Sequence, residues 1–199
     1  MTESDAVLVG VLVLFAAMTI ALLTGLLAWG PVPLGPRAHD YADLRRWFGL
    51  PNAANLLASL ALLPTALYGL FATRSSAWPV ALRRPWLGFH ACALAAAVLA
   101  TVYHLAPTDA AYVLANTALS AACALLTAAL LAERVDLRFG SAAAVGLVCV
   151  IVAAAAGWVV WTGASDLRPF IMIDVLPVLL VPAGALGLPA GHLRSTDWT

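Results

Sequence analysis

The sequence predicts an all-α membrane protein, a polytopic bundle of six transmembrane helices that forms a single domain over residues 1–199. Hydrophobic residues make up 63% of the chain and charged residues 10%, which excludes a soluble globular domain of ordinary composition. Six apolar stretches reach the length of about 20 residues that a helix needs to cross a bilayer. The alternating pattern of a transmembrane barrel strand is absent, so helices are the spanning elements.

The six predicted spans are bounded by loops that carry almost all of the charges. In chain order they are Ala6–Trp29, Ala53–Thr73, Trp86–Leu105, Ala110–Ala132, Ser141–Thr162 and Pro169–Leu188. The first is not a cleaved signal, because Glu3 and Asp5 stand where a signal peptide carries positive charge. Pro64 and Pro177 lie inside the second and sixth spans and predict kinks. A weak arginine bias between the two sets of loops favours a cytoplasmic N-terminus.

Two further features limit the classes of function. The three cysteines, Cys92, Cys123 and Cys149, lie apart from one another inside spans, which is typical of small packing residues rather than of disulfides or metal ligands. The formal net charge is zero, and the scattered arginines argue against nucleic-acid binding.

Polar side chains gather on one side of the predicted bundle, which we call the odd-loop face because the first, third and fifth loops meet there. Its residues are His39, Asp40 and Asp43 of the first loop, His104 and Asp109 of the third, and Asp166 and Arg168 of the fifth. Asp174 follows about a turn and a half into the sixth helix. These groups predict a metal or proton site. The alternative is that the loop charges are simply solvated, with Asp166 paired to Arg168.

Asp174 must be protonated, paired or hydrated if it lies within the membrane. Arg168 is about 9 Å away along the helix axis and on a different face. We therefore expect a partner from another helix, such as Asn55, Ser59 or His104.

Several short stretches follow one another along the chain: Tyr41–Arg45, Phe48–Asn52, Tyr103–Pro107, Leu131–Val135, Ser165–Phe170 and Leu176–Pro177. In this order they resemble the alkaline ceramidase family of seven-helix membrane hydrolases, especially its bacterial members. The resemblance extends over nearly the whole chain and implies a bacterial plasma-membrane protein.

The family hydrolyses lipid amides with a zinc ion held by three histidines, assisted by a serine and an aspartate. The resemblance makes His104 the first metal ligand. The serine position corresponds to Ala100, and the aspartate position to Ala115, with Asn116 beside it. The other two histidines belong to a His-x-x-x-His pair on a seventh helix, beyond the sixth span where this sequence ends at Thr199. The chain is therefore either a fragment or a degenerate member, and Ala100 and Ala115 favour degeneracy.

Three functions follow as hypotheses. The first is a ceramidase-like hydrolase of a ceramide or related acyl amide, and the second is a non-catalytic protein that binds a membrane lipid. The third is a small proton- or solute-conducting protein that uses Asp174, His104 and Asp166 as a relay. The candidate site residues are His104 as a metal ligand and Asp43, Asp166, Arg168 and Asp174 as further polar groups. Zinc is a possible cofactor by resemblance, but one imidazole would not hold it tightly.

Overall fold

The computed structural model describes residues 3–35, 38–39, 46–47 and 49–188, and within them the fold is all-helical. The helices are α1 (Glu3–Trp29), α2 (Ala53–Ser75), α3 (Val80–Leu105), α4 (Asp109–Arg134), α5 (Ala142–Trp161) and α6 (Arg168–Gly187). A short 3₁₀ turn, Leu137–Gly140, joins α4 to α5. All six helices are long and apolar enough to cross a membrane, so the predicted fold class is confirmed.

Polar caps set the start of two of these helices. The Thr108 hydroxyl accepts a hydrogen bond from the amide of Ala111 at the start of α4. In the same way, the Ser141 hydroxyl accepts from the amide of Ala144 at the start of α5. Each cap satisfies one of the backbone donors that the first turn leaves without a partner.

The largest difference from the predicted boundaries is at the start of α3, which begins at Val80 rather than at Trp86. The hydropathy pattern marks where the apolar segment starts, whereas the helix itself continues outward through Arg83 and Arg84. Arginine is a good helix former, so charge ends the span without ending the helix. Pro85 lies inside α3, and its missing N–H leaves the Ala81 carbonyl without its usual helical donor.

The central helix of the bundle is α4, which packs against α3, α5 and α6. On one side α2 packs against α3, and on the other α1 contacts only α6 among the described helices. In the membrane-spanning part of α4, 44% of the residues are buried inside the protein, whereas none are buried in Leu12–Trp29 of α1. The bundle is therefore built outward from α4, with α1 at its edge.

Large apolar side chains cover the outside of the bundle. Leu12, Phe71, Val150 and Val178 are among the many that are exposed. An exposed apolar surface of this extent needs a non-aqueous surrounding. The chain is accordingly a helical membrane protein.

The end of the bundle opposite the odd-loop face is packed tightly. Backbone of the 3₁₀ turn contacts backbone of α3, because Gly140 lies directly against the Ala81 carbonyl. A small apolar cluster surrounds this contact: Leu82 and Ala132, both fully buried, with Trp78, Trp86, Leu137 and Phe139.

Candidate functional site

The first, third and fifth loops meet on one face, as the sequence predicts. The amide of Leu34 donates to the Ala164 carbonyl, and the amide of Leu167 donates to the Val32 carbonyl, each at 2.8 Å. These two bonds join the first loop to the fifth. A contact of 2.8 Å between His39 Nε2 and Asp109 Oδ1 joins the first loop to the start of α4. Asp40 and Asp43 lie outside the described residues.

Asp166 and Arg168 form a structural ion pair at this face. The Arg168 Nε donates to Asp166 Oδ1 at 2.8 Å, and its Nη2 donates to Oδ2 at 2.7 Å. The Trp158 indole N–H also donates to Oδ2, at 3.0 Å. The bond to Arg168 is the main reason that the pKa of Asp166 falls to about 2, with further donation from the backbone of Val32. Every bond to this carboxylate ties a loop or helix end in place, so the pairing alternative is confirmed for Asp166.

The His39 side chain contacts the end of α3 and the start of α4. His39 Nδ1 lies 3.0 Å from the Tyr103 hydroxyl, and its Nε2 lies 2.8 Å from Asp109. If the ring is neutral, Nε2–H donates to the carboxylate and Nδ1 accepts from the Tyr103 hydroxyl. The Tyr103 ring also packs edge-on against Tyr112. The sequence reasoning missed Tyr103 as part of the site, although it stands directly before His104.

A hydrogen bond to the backbone of His104 joins the end of α3 to the start of α2. The His104 carbonyl, one of the last four of the helix, accepts a hydrogen bond of 3.0 Å from the Asn52 side chain. Because Asn52 immediately precedes α2, this bond fixes the start of α2 against the end of α3 and satisfies an otherwise orphaned carbonyl.

A cavity of about 240 Å³ lies between α2, α3 and α4 and is lined by His104. Its other lining residues are Leu62 of α2, Ala96, Ala97, Ala100 and Tyr103 of α3, and Ala115, Asn116 and Leu119 of α4. The Asn116 amide nitrogen donates to the Tyr112 carbonyl at 2.9 Å. The cavity therefore brings positions 100, 104 and 115 together, and most of its wall is apolar.

The donor set of this cavity does not fit the zinc ion that the resemblance implies. Ala100 and Ala115 supply methyl groups where the family would supply a hydroxyl and a carboxylate. Within the described ranges there is no group of three or more histidine, cysteine, aspartate or glutamate side chains that could hold a metal ion. Catalytic zinc sites use three protein ligands, whereas His104 is the one histidine among the residues that line this cavity.

Asp174 has a partner on another helix, as expected, but the predicted residues are wrong. The Ser120 hydroxyl of α4 donates to Asp174 Oδ1 at 2.7 Å, and Ser120 is fully buried. Asn55 and Ser59 lie on α2, which packs against α3 and not against α6. Because α4 lies between α6 and those helices, the sequence could not identify the partner without the helix order.

The predicted relay residues are thus engaged separately. Asp174 is bonded to Ser120, Asp166 to Arg168 and Trp158, and His104 lines the cavity.

Comparisons of the chain with protein-family models, with curated proteins and with solved structures found no match.

Proposed function

We propose that this protein has a ceramidase-like bundle and binds a lipid amide in the cavity between α2, α3 and α4 without hydrolysing it. One observation carries the proposal. Positions 100, 104 and 115, which the resemblance assigns to a catalytic centre, line the same cavity, and two of the three are alanine. The resemblance further implies the bacterial plasma membrane as the location.

The shape of the cavity suits the polar centre of a lipid. At about 240 Å³ it is smaller than the roughly 300–1,000 Å³ of whole small-molecule sites. Leu62 and Leu119 line the cavity and are 56% and 45% exposed, so it opens on the lipid-facing surface of the bundle. An amide group with its first methylenes would lie inside, and the acyl chains would extend into the bilayer.

The few polar groups of the cavity complement an amide. Because the Asn116 nitrogen is bonded to the Tyr112 carbonyl, its side-chain oxygen is left to accept an N–H. The His104 imidazole beside it can donate or accept, depending on its tautomer. A ligand buried there must offer an N–H donor to the Asn116 side-chain oxygen, since a polar atom that loses its hydrogen bonds on burial costs about 1–3 kcal/mol.

The residues that line the cavity do not include the side chains that amide hydrolysis by zinc would need. Metal-assisted cleavage needs an open zinc position to activate water and polarise the carbonyl. The methyl groups of Ala100 and Ala115 provide neither a metal ligand nor an acid or base. The cavity therefore supports recognition rather than turnover.

Binding and hydrolysis can be measured separately on the purified full chain with a short-chain fluorescent ceramide. Ala100→Leu fills the cavity from α3, and we expect it to weaken binding about tenfold, or roughly 1.4 kcal/mol. Ala95→Leu is the matched control, because Ala95 lies on the exposed side of the same helix. Equal binding by both variants would contradict the location. Release of fatty acid by wild type, abolished in His104→Ala, would instead establish the hydrolase.

A further inference from the structure

Arginine side chains gather at the end of the bundle opposite the odd-loop face. The two segments that meet there, residues 74–84 and 133–141, carry five arginines and two acidic residues, a formal net charge of +3. At the odd-loop face the charges of the described residues balance when His39 is neutral, with Arg46 and Arg168 against Asp109 and Asp166. The excess of positive charge therefore lies at one end of the bundle.

Most of these five arginines have no acidic partner that neutralises them. Glu133 is paired with Arg134 at 3.2 Å. Asp136 lies 3.9 Å from Arg138, whose side chain is 94% exposed. The remaining three form no ion pair within the described part of the chain: Arg74, Arg83 and Arg84. Two of these are exposed and the third is half-buried, so their charge is available to a partner outside the chain.

The packing beneath these side chains holds them at one place. Gly140 lies directly against the Ala81 carbonyl, which fixes the 3₁₀ turn beside the first turn of α3. A connection of only four residues joins the end of α2 to the start of α3. The exposed and half-buried arginines of these three segments form what we call the arginine patch: Arg74, Arg83, Arg84 and Arg138.

The arginine patch lies at the depth of lipid headgroups. The apolar stretch of α3 begins at Trp86, and Arg84 and Arg83 are about 3–5 Å further out along the helix axis. Arg74 directly follows the apolar stretch of α2, which ends at Thr73. Helix stability does not explain Arg83 and Arg84, because the helix dipole disfavours cations near a helix N-terminus. A membrane surface is the environment that these side chains meet.

We propose that the arginine patch binds the phosphates of anionic phospholipids in the adjacent leaflet. Guanidinium groups bind phosphate oxygens through paired N–H donors, and clustered cations beside a spanning helix attract an anionic surface. A zwitterionic headgroup carries its own cation, which the patch repels. The acidic residues Glu3 and Asp5 belong to α1, which contacts only α6 among the described helices. This inference is independent of the proposed function, because no residue of the patch lines the α2–α3–α4 cavity.

The test titrates lipid onto the purified full chain in detergent and measures binding by native mass spectrometry. Dioleoyl phosphatidylglycerol is the probe, and dioleoyl phosphatidylcholine is the zwitterionic comparison. Wild type should bind the first phosphatidylglycerol at least about fivefold more tightly than phosphatidylcholine. Arg84→Gln and Arg74→Gln should each weaken phosphatidylglycerol binding about fivefold and leave phosphatidylcholine binding unchanged. Arg46→Gln is the matched control, since Arg46 is exposed at the odd-loop face, and it should bind like wild type.

Thermal unfolding gives the second readout. Phosphatidylglycerol should raise the melting temperature of wild type more than that of Arg84→Gln, because a ligand of the folded state stabilises it by mass action. Added NaCl at about 0.5 M should remove the difference by screening. Equal phosphatidylglycerol affinity in all three glutamine variants would overturn the proposal. Equal binding of both lipids by wild type would also overturn it and would leave an acidic protein segment as the partner. Displacement of the lipid by inorganic phosphate, but not by chloride of the same ionic strength, would refute it as well, since that result describes a site for free phosphate.

Discussion

Replacement of Gly140 by alanine should destabilise the bundle more than any change of similar size on its surface. A Cβ added at Gly140 would lie 2.6 Å from the Ala81 carbonyl carbon and 3.3 Å from the Ala132 Cβ, and closer still to the Ala81 oxygen. Ordinary van der Waals contact begins at 3.4 Å, and the Ala81 oxygen would lie 1.6 Å from the new Cβ, so the 3₁₀ turn and α3 would have to separate by about 1.8 Å.

The neighbouring atoms leave little room for that movement. The obstacle is helix backbone rather than the end of a flexible side chain, and Leu82 and Ala132 beside it are fully buried. Overpacking of a well-filled interior costs about 1–3 kcal/mol, and more where backbone must shift. We expect about 3 kcal/mol, which for a chain of this size lowers the melting temperature by roughly 6–12 °C.

Gly146→Ala provides the matched control, because a Cβ there meets nothing within 4 Å and alanine favours the helix interior. Thermal unfolding of both purified variants in the same detergent, followed by tryptophan fluorescence, measures the difference. If Gly140→Ala melts within about 2 °C of Gly146→Ala, a difference under about 1 kcal/mol, the contact between the 3₁₀ turn and α3 is looser than the structure describes.

Three further outcomes test the polar sites. Asp174→Asn should fold and melt like wild type, since the amide can still accept from Ser120, whereas strong aggregation would show that Asp174 needs its charge. Asp166→Asn should cost about 1–2 kcal/mol at pH 7, allowing for screening at the membrane edge. Because the folded pKa of about 2 lies below the unfolded value of about 3.9, that contribution is present above about pH 5 and is lost as the pH falls from about 4 to 2. The free-energy difference between wild type and variant should shrink across that interval, and a constant difference would contradict the ion-pair account. Elemental analysis should find well below one zinc per chain, and a full equivalent lost in His104→Ala would refute the assignment of the cavity as a non-metal site.

Hydropathy predicted the helices well because the bilayer requires each spanning segment to be apolar along its own length. A span must be about 20 apolar residues long whatever its neighbours are, so α2 was predicted to within two residues at its end, Ser75. Alternation of six spans also placed the odd loops together without any knowledge of packing. Helix ends beyond the membrane follow other rules, which is why α3 extends outward to Val80.

The contacts between helices were harder to predict, because they depend on the order in which the helices pack. Nothing in the sequence around Ser120 distinguishes it from Ser59 as a partner for Asp174, and only the central position of α4 decides between them. The cavity likewise could not be predicted from the sequence, since its lining residues, such as Leu62 and Asn116, come from separate helices. Its signal was indirect: the spacing that the resemblance assigned to positions 100, 104 and 115.

The peripheral position of α1 has a consequence for biosynthesis. Its helix partner, α6, begins at Arg168, about 140 residues after α1 ends at Trp29. At translation rates of about 5–20 residues per second, α1 waits roughly 7–28 s for that contact. An ionised side chain inside a helix that still lacks its partner would be costly in lipid, and between Ala6 and Trp29 there is none. By contrast, α6, which bears Asp174, is made after Ser120 is already in the membrane.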